Sequence, residues 1–303
     1  MSAAVYAARK GLDVLLLSQS LGGQVNYTAR VDNYLGVPEI SGPEMVEAFR
    51  EHAESYEIAE DLGDPVEAVL RDKGLFQLRT KGGKGYMAST VVYCGGKEYK
   101  RLGAKGEERL MGKGVAFCAT CDAPLYQGKS VAVVGGGNSA FTALRDLLAF
   151  ASRIYLVHRR RDFKADPPLA KEVLGSGKVV VLTPFVVLEF QGKESLEFMV
   201  IKDVETAETM RLEVAGAFLE IGMEAKAEPI RDLLRLNQHG EVPVRKDMST
   251  EVEGLFAAGD VTDTEEKQIS IAVGQGAQAA LSAHRYLMER GLASKVPAKD
   301  PWI

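Results

Sequence analysis

The order of apolar and polar positions along the chain reads as helices alternating with short buried strands. Ala3, Ala4, Val5, Ala7 and Ala8 form or tolerate helix, Lys10 sits in the last turn, and Gly11 supplies a C-terminal stop. From Asp13 to Leu17 the chain is apolar after its first residue, as in a strand covered on both faces. Helix and strand are therefore predicted to be the second half of a βαβ unit. A glycine loop at Gly22, Gly23 and Gln24 follows. The next helix is predicted to start at Pro43, with Glu44 and Glu47 favouring the positive end of its dipole. Strand-like runs occupy Pro65 to Leu70, Leu75 to Thr80 and Thr90 to Tyr93.

A second α/β block begins at Ser130. Val131 to Val134 is predicted as a buried strand, Asn138 to Phe150 as a helix and Arg153 to Val157 as the next strand, a complete βαβ start. Asp166, Pro167 and Pro168 open a helix to Leu174, Val179 to Leu188 is β-rich, and Ala217 to Ile221 is a further strand. The pattern then returns to a strand, Leu255 to Ala258, a glycine-aspartate turn and a long helix from Ile269 to Glu289. No repeat of solenoid period or low-complexity tract interrupts it. The tail from Ala293, with Pro297, Pro301 and Trp302, is predicted to be a loosely held end.

Composition narrows this picture. A chain of 303 residues suggests two domains. A net charge of −5 lacks the basic footprint with which nucleic-acid binders displace counterions. No uncharged apolar run approaches the roughly 18 residues that span a bilayer, and Arg9, Lys10 and Asp13 interrupt any signal-peptide core. The expectation is a cytoplasmic protein that binds neither nucleic acid nor membrane. Three cysteines are too few for a disulfide framework.

Gly135, Gly136, Gly137, Asn138, Ser139 and Ala140 lie between a predicted strand and a predicted helix, the setting that makes G-x-G-x-x-A a dinucleotide fingerprint. Gly135 allows the tight turn, Gly137 lets the backbone approach a pyrophosphate, and Ala140 permits close packing. A free ribose 2′-OH is usually met by an acidic residue about 20 positions further on. Here His158, Arg159, Arg160 and Arg161 stand instead, with Lys164 beyond them. Guanidinium groups suit a 2′-phosphate, so NADPH is expected over NADH.

Cys118-Ala119-Thr120-Cys121-Asp122 admits several readings. Zinc would need further donors at the usual spacing, and the chain has four His and no second C-x-x-C. As a redox pair, one thiolate attacks a disulfide, the other resolves it, and Asp122 moves the protons. Gly259 and Asp260 follow a buried strand, where an acidic side chain suits a polyol such as a ribityl chain. Lys267, Gln268 and Ile269 open the last helix and offer its N–H groups to an electron-rich ring edge.

Together these residues resemble the low-molecular-weight thioredoxin reductases and the related reductase subunit of alkyl hydroperoxide reductase. The likeness runs through Leu21 to Gln24, Val31 to Tyr34, C-A-T-C-D, G-G-G-N-S-A, H-R-R and G-L-F-A-A-G-D-V. It implies an α/β fold of two Rossmann-like, three-layer nucleotide-binding domains. The FAD domain would comprise residues 1–100 and 230–303, and the NADPH domain with its redox C-x-x-C residues 101–229. By resemblance, electrons pass from NADPH to FAD, to a Cys118–Cys121 disulfide, and on to thioredoxin or a thioredoxin-like protein. Cys121 faces the flavin, Cys118 is the interchange thiol and Asp122 the acid-base group; no metal takes part.

The same resemblance assigns FAD contacts to Gly22, Gly23, Gln24, Asn33, Gly96, Gly259, Asp260, Lys267, Gln268 and Ile269. NADPH contacts fall on Gly135, Gly137, Asn138, Ser139, Ala140, His158, Arg159, Arg160 and Lys164. A homodimer is implied as well. The chain departs from the family pattern where A-T-G becomes Cys94-Gly95-Gly96 and where Lys267 replaces arginine. Family members begin with a strand and a G-x-G-x-x-G loop that would precede Met1, so Met1 is expected to be an internal position of a longer reading frame. Two alternatives accompany this reading. One is a flavin-poor NADP(H)-binding protein of the same fold. The other is a ferredoxin- or flavodoxin-NADP reductase-like enzyme, against which C-A-T-C argues.

Overall fold

The computed structural model describes residues 1–28 and 30–293. Its central lobe is built on a parallel five-stranded sheet in the order Val179–Leu182, Arg153–Val157, Ser130–Gly135, Gly216–Glu220, Val115–Ala116. The strand alternation divides the core in two. Val131, Val133, Ile154, Leu156 and Phe218 pack under the helices Asn138–Leu148 and Pro167–Leu174, against Phe141, Leu144 and Val173. Ala132, Val134, Val157, Ala217 and Leu219 face the other way, against Phe190, Met199, Ile201 and Leu212 of an antiparallel meander. That meander comprises Phe185–Gln191, Phe198–Asp203 and Thr209–Glu213, so the third layer of this lobe is sheet. The predicted β-rich run from Val179 to Leu188 is split between the two layers at Thr183-Pro184.

The second lobe joins both ends of the described chain. Leu15–Ser18 pairs in parallel with Ala59–Leu62, and Val91–Tyr93 with Leu255–Ala257; among the described residues these remain separate two-stranded sheets. A three-stranded antiparallel sheet, Val66–Asp72, Leu75–Thr80 and Gly85–Ala88, completes the strands of this lobe. The opening helix Ser2–Arg9 lies on the closing helix Ile269–Glu289, where a Cβ at Gly276 would stand 3.2 Å from the Ala3 nitrogen. The helix Gly42–Glu54 begins one residue before the predicted Pro43 because Ser41 and Glu44 form a capping box.

Two chain crossings link the lobes. They run side by side as an antiparallel pair, Lys97–Tyr99 with Met223–Ala225. Among the described residues no helix is long and apolar enough to cross a membrane. The predicted loose end falls, from residue 294 on, outside the described residues.

Candidate active site

The glycine loop closes the strand Ser130–Gly135 and opens the helix Asn138–Leu148, as the sequence pattern requires. Its glycines have different reasons to be there. A Cβ on Gly135 would collide with the Glu220 carbonyl oxygen and stand 3.0 Å from the Ala140 Cβ, and one on Gly136 would meet the His158 ring at 2.5 Å. Around Gly137 there is open space, and no side chain caps the helix that follows. The first-turn N–H groups are thus free to meet an anion.

Two predicted contacts are tied up locally. The Asn138 side chain donates to the Asp166 carboxylate at 3.1 Å and accepts from its N–H at 2.8 Å, fastening the loop to the next helix. The backbone N–H of Lys164 donates to the Gly136 carbonyl at 2.7 Å. His158 lies over the loop with its Nε2 buried and without a hydrogen-bond partner, and burial pulls its pKa down. Arg159 and Arg160 are exposed at the end of the next strand. Within the described residues neither has a carboxylate partner, whereas Arg161 pairs with Glu205 at 2.6 Å. This set of donors fits a phosphorylated dinucleotide.

Cys118 and Cys121 form a disulfide with Cα atoms 5.3 Å apart, across the short helix Ala119–Asp122. Both are half-buried, and as a disulfide neither is available as a metal ligand. Cys94 is the free thiol, on an exposed residue. Asp122 is largely buried, its Oδ1 without a partner; burial, and then the charge of Asp32, push its carboxyl up to about 6. Such a group exchanges protons near neutral pH.

Asp32 belongs to a loop of the second lobe, pinned by the Val31–Ile40 bridge. The neighbouring Asn33 donates to Gln268 Oε1 at 3.2 Å, which brings the loop to the start of the closing helix. The Arg101 guanidinium lies over Phe117, next to Cys118, at 4.9 Å and over Tyr27 of the second lobe at 5.7 Å, which sets the disulfide segment against that lobe. Tyr99 lies where the lobes meet; burial first, then the carboxylates of Glu220, Asp260 and Asp122, push its hydroxyl far above the ordinary range. Its ring stacks on Phe117, next to Cys118, at 4.6 Å.

On the flavin side, Gly259 adopts φ +79, which glycine accepts without strain, and its N–H donates to Gln275 at 2.8 Å. The Asp260 carboxylate makes no side-chain hydrogen bond to described residues, and burial raises its pKa. No side chain caps the closing helix at Gln268, so the first N–H groups from Ile269 onward remain open. Gln24 donates to the Lys97 carbonyl, Gly22 and Gly23 take positive φ, and the Gly96 carbonyl accepts from the Lys226 N–H at 2.9 Å. An open acidic acceptor beside an uncapped helix start fits a flavin's polyol and ring edge.

Several groups here lie outside the residues expected from sequence. Lys97 and Glu241 form an ion pair at 2.5 Å, with Lys267 3.4 Å from the same Glu241 oxygen. Glu220, at the carboxyl end of an apolar strand, is pushed up to about 8 by burial and by Asp146, against a hydrogen bond from the Ala119 N–H. A charged residue closing an otherwise apolar strand was the available signal for Glu220. For Lys97 it was a cation immediately after Gly96.

Comparison with known proteins follows the same outline. The family described as pyridine nucleotide-disulphide oxidoreductase matches residues 1–276. The F-type subunit of alkyl hydroperoxide reductase in Staphylococcus epidermidis is 35% identical over 287 residues, 95% of this chain and 57% of that protein. The chain thus spans little more than half the length of the curated relatives it matches. The crystal structure of thioredoxin reductase from Streptococcus pyogenes superposes with a TM-score of 0.90 at 32% identity, covering 95% of this chain and 94% of that one. Thioredoxin reductase from Giardia duodenalis gives 0.86 at 27% identity, with the same coverage.

Proposed function

Because the chain belongs to the pyridine nucleotide-disulphide oxidoreductase family, in its thioredoxin reductase-like branch, we propose that it is an FAD- and NADPH-dependent disulfide reductase whose electrons leave through Cys118 and Cys121 to thioredoxin or a thioredoxin-like protein. One observation carries this reading. The disulfide sits on the lobe with the dinucleotide loop, and Arg101 bridges Phe117, next to Cys118, to Tyr27 of the other lobe. A redox pair between two cofactor-shaped sites is what relay from NADPH to a protein disulfide requires. Residues 101–229 are the NADPH domain in this scheme, and 1–100 with 230–303 the FAD domain. Bound FAD supplies a carrier that accepts a hydride and passes two electrons to a disulfide.

The chain's own residues do the rest. Gly137 and the helix behind it hold the NADPH pyrophosphate, with Ser139 and Ala140 in its first turn. Arg159, Arg160 and Lys164 clamp the 2′-phosphate, with His158 packed against the loop. On the other lobe Asp260, Asn33, Gln24 and the Gln268–Ile269 turn orient the flavin. Two electrons and two protons convert the Cys118–Cys121 disulfide to two thiols, and Asp122, adjacent to Cys121 in the chain, would deliver and remove the proton at its sulfur. Cys118 then attacks the partner disulfide, releasing one partner thiol; Cys121 resolves the mixed disulfide and releases the second. The working form is a homodimer in the cytoplasm.

The experiment is NADPH oxidation by the FAD-loaded full chain with thioredoxin as acceptor. Cys118→Ser should abolish disulfide reduction while NADPH still bleaches the flavin absorbance at the wild-type rate. Loss of both in that variant would refute the assigned order. Protein that stays colourless after incubation with FAD would favour a flavin-poor NADP(H)-binding role instead.

A further inference from the structure

In the buried ion cluster between Gly96 and the closing helix, Lys97 and Glu241 have no part in the scheme above. The Lys97 and Lys267 side chains are 11% and 14% exposed and converge on one oxygen of Glu241, itself 12% exposed, at 2.5 and 3.4 Å. The other Glu241 oxygen accepts from Asn237 Nδ2 at 2.7 Å, and Lys267 also donates to the Thr262 carbonyl at 2.6 Å. Burial opposes charge on Glu241, yet the hydrogen bonds from Lys97 and Asn237 and the two ammonium groups bring its carboxyl down to about 2. The cluster does not stand alone. Lys267 lies seven residues beyond Asp260 on the same turn into the closing helix, the charges of both lysines act against the rise that burial gives the Asp260 pKa, and Asp260 makes no side-chain hydrogen bond to described residues.

Two cations thus serve two carboxylates, one sealed by protein and one facing the site. Such a cluster is electrically balanced only while both lysines are present. We propose that Lys97 is a positioning residue for the flavin: with Lys267 and Glu241 it keeps the charge around Asp260 near zero, so that the site tolerates the negative charge arriving on reduction. The proposal rests on the flavin reading above. A neutral flavin held there would gain one negative charge with each hydride taken from NADPH, which would leave as NADP+. If Lys97 is lost, Glu241 and Asp260 share a single cation, and the charge beside the flavin site falls by one, which opposes an anion there. If Glu241 is lost, the local charge rises by one and the anion is favoured. A side chain that only packs would give no such opposition of sign.

The test measures the midpoint potential of bound flavin in the full chain by dye equilibration, followed by flavin absorbance. Lys97→Met is expected to lower the equilibrium constant for reduction about tenfold, which for a two-electron couple is about 30 mV. Glu241→Gln should raise it by a similar factor, and Lys97→Arg should restore the wild-type value. Potentials that stay at the wild-type value, or move in the same direction in Lys97→Met and Glu241→Gln, overturn the proposal. Should one of these two fail to retain flavin, the sign in the other decides. A wild-type chain that takes up no FAD would refute the flavin reading itself, an outcome distinct from unshifted potentials.

Discussion

Asp122, the proposed proton carrier, holds its place in the fold at a cost in stability. Its carboxyl ionises at about 6 in the folded chain against an ordinary 3.8, so between those values the native state holds a proton that the unfolded chain has lost. Stability from this group is therefore complete below pH 3.8 and declines as pH rises to 6. Asp122→Asn should remove that decline and raise stability at pH 7 by roughly 1–3 kcal/mol, read from urea melts. The same variant should slow thiol–disulfide turnover by about 100-fold or more and erase the inflection near pH 6 in the rate profile. A variant equally stable, with its inflection intact, would assign the proton to another group. The pattern C-A-T-C-D announced these residues as a unit, because the redox reading needs a proton carrier next to two thiols. That Asp122 would be buried, and raised further by Asp32 from a loop far away in sequence, was not legible, since burial and charge proximity are properties of packing.

At the scale of elements, Gly135 and Gly137 look alike in sequence and differ in three dimensions. Gly135 belongs to the sheet: in register with Glu220, it leaves no room for a Cβ. Gly137 borders open space, with nothing within 4 Å of a Cβ there, and is the residue proposed to meet the dinucleotide. Gly135→Ala should destabilise the lobe by about 1–3 kcal/mol through overpacking. Gly137→Ala should leave chemical denaturation unchanged and weaken only NADPH binding in a titration; equal destabilisation by both would contradict this division. Elements with their own signals were legible. Leu75–Thr80, Arg153–Val157 and Ile269–Glu289 carry β-branched or apolar alternation, or helical periodicity, and fall where the pattern placed them. Ala59–Leu62 and Gly85–Ala88 did not, because the residues AEDL and GYMA have little strand preference and become strands only through the neighbours they pair with.

Across the whole molecule, the lobes meet through the Lys97–Tyr99 crossing and the Arg101–Tyr27 contact, so a ligand bridging Asp260, Gln24 and the closing helix should tie distant parts of the chain together. FAD at about 100 times its dissociation constant is expected to stabilise the fold by about 2.7 kcal/mol, seen as a rise of several degrees in melting temperature. An unchanged melting temperature would mean that these residues form no flavin site. The sequence by itself determined which residue types stand together: a fingerprint glycine loop between strand and helix, a cationic run after the next strand, a C-x-x-C with an aspartate beside it, and a glycine-aspartate turn before a helix. Those signals are local, set by backbone freedom and residue type over a few positions. Only the tertiary structure decided that the segment leading into the dithiol lies against the other lobe, that Asn138 fastens the loop to the next helix, and that Lys97 and Lys267 converge on Glu241. Electrostatic energy depends on distance and burial, which are fixed when segments far apart in the chain pack together.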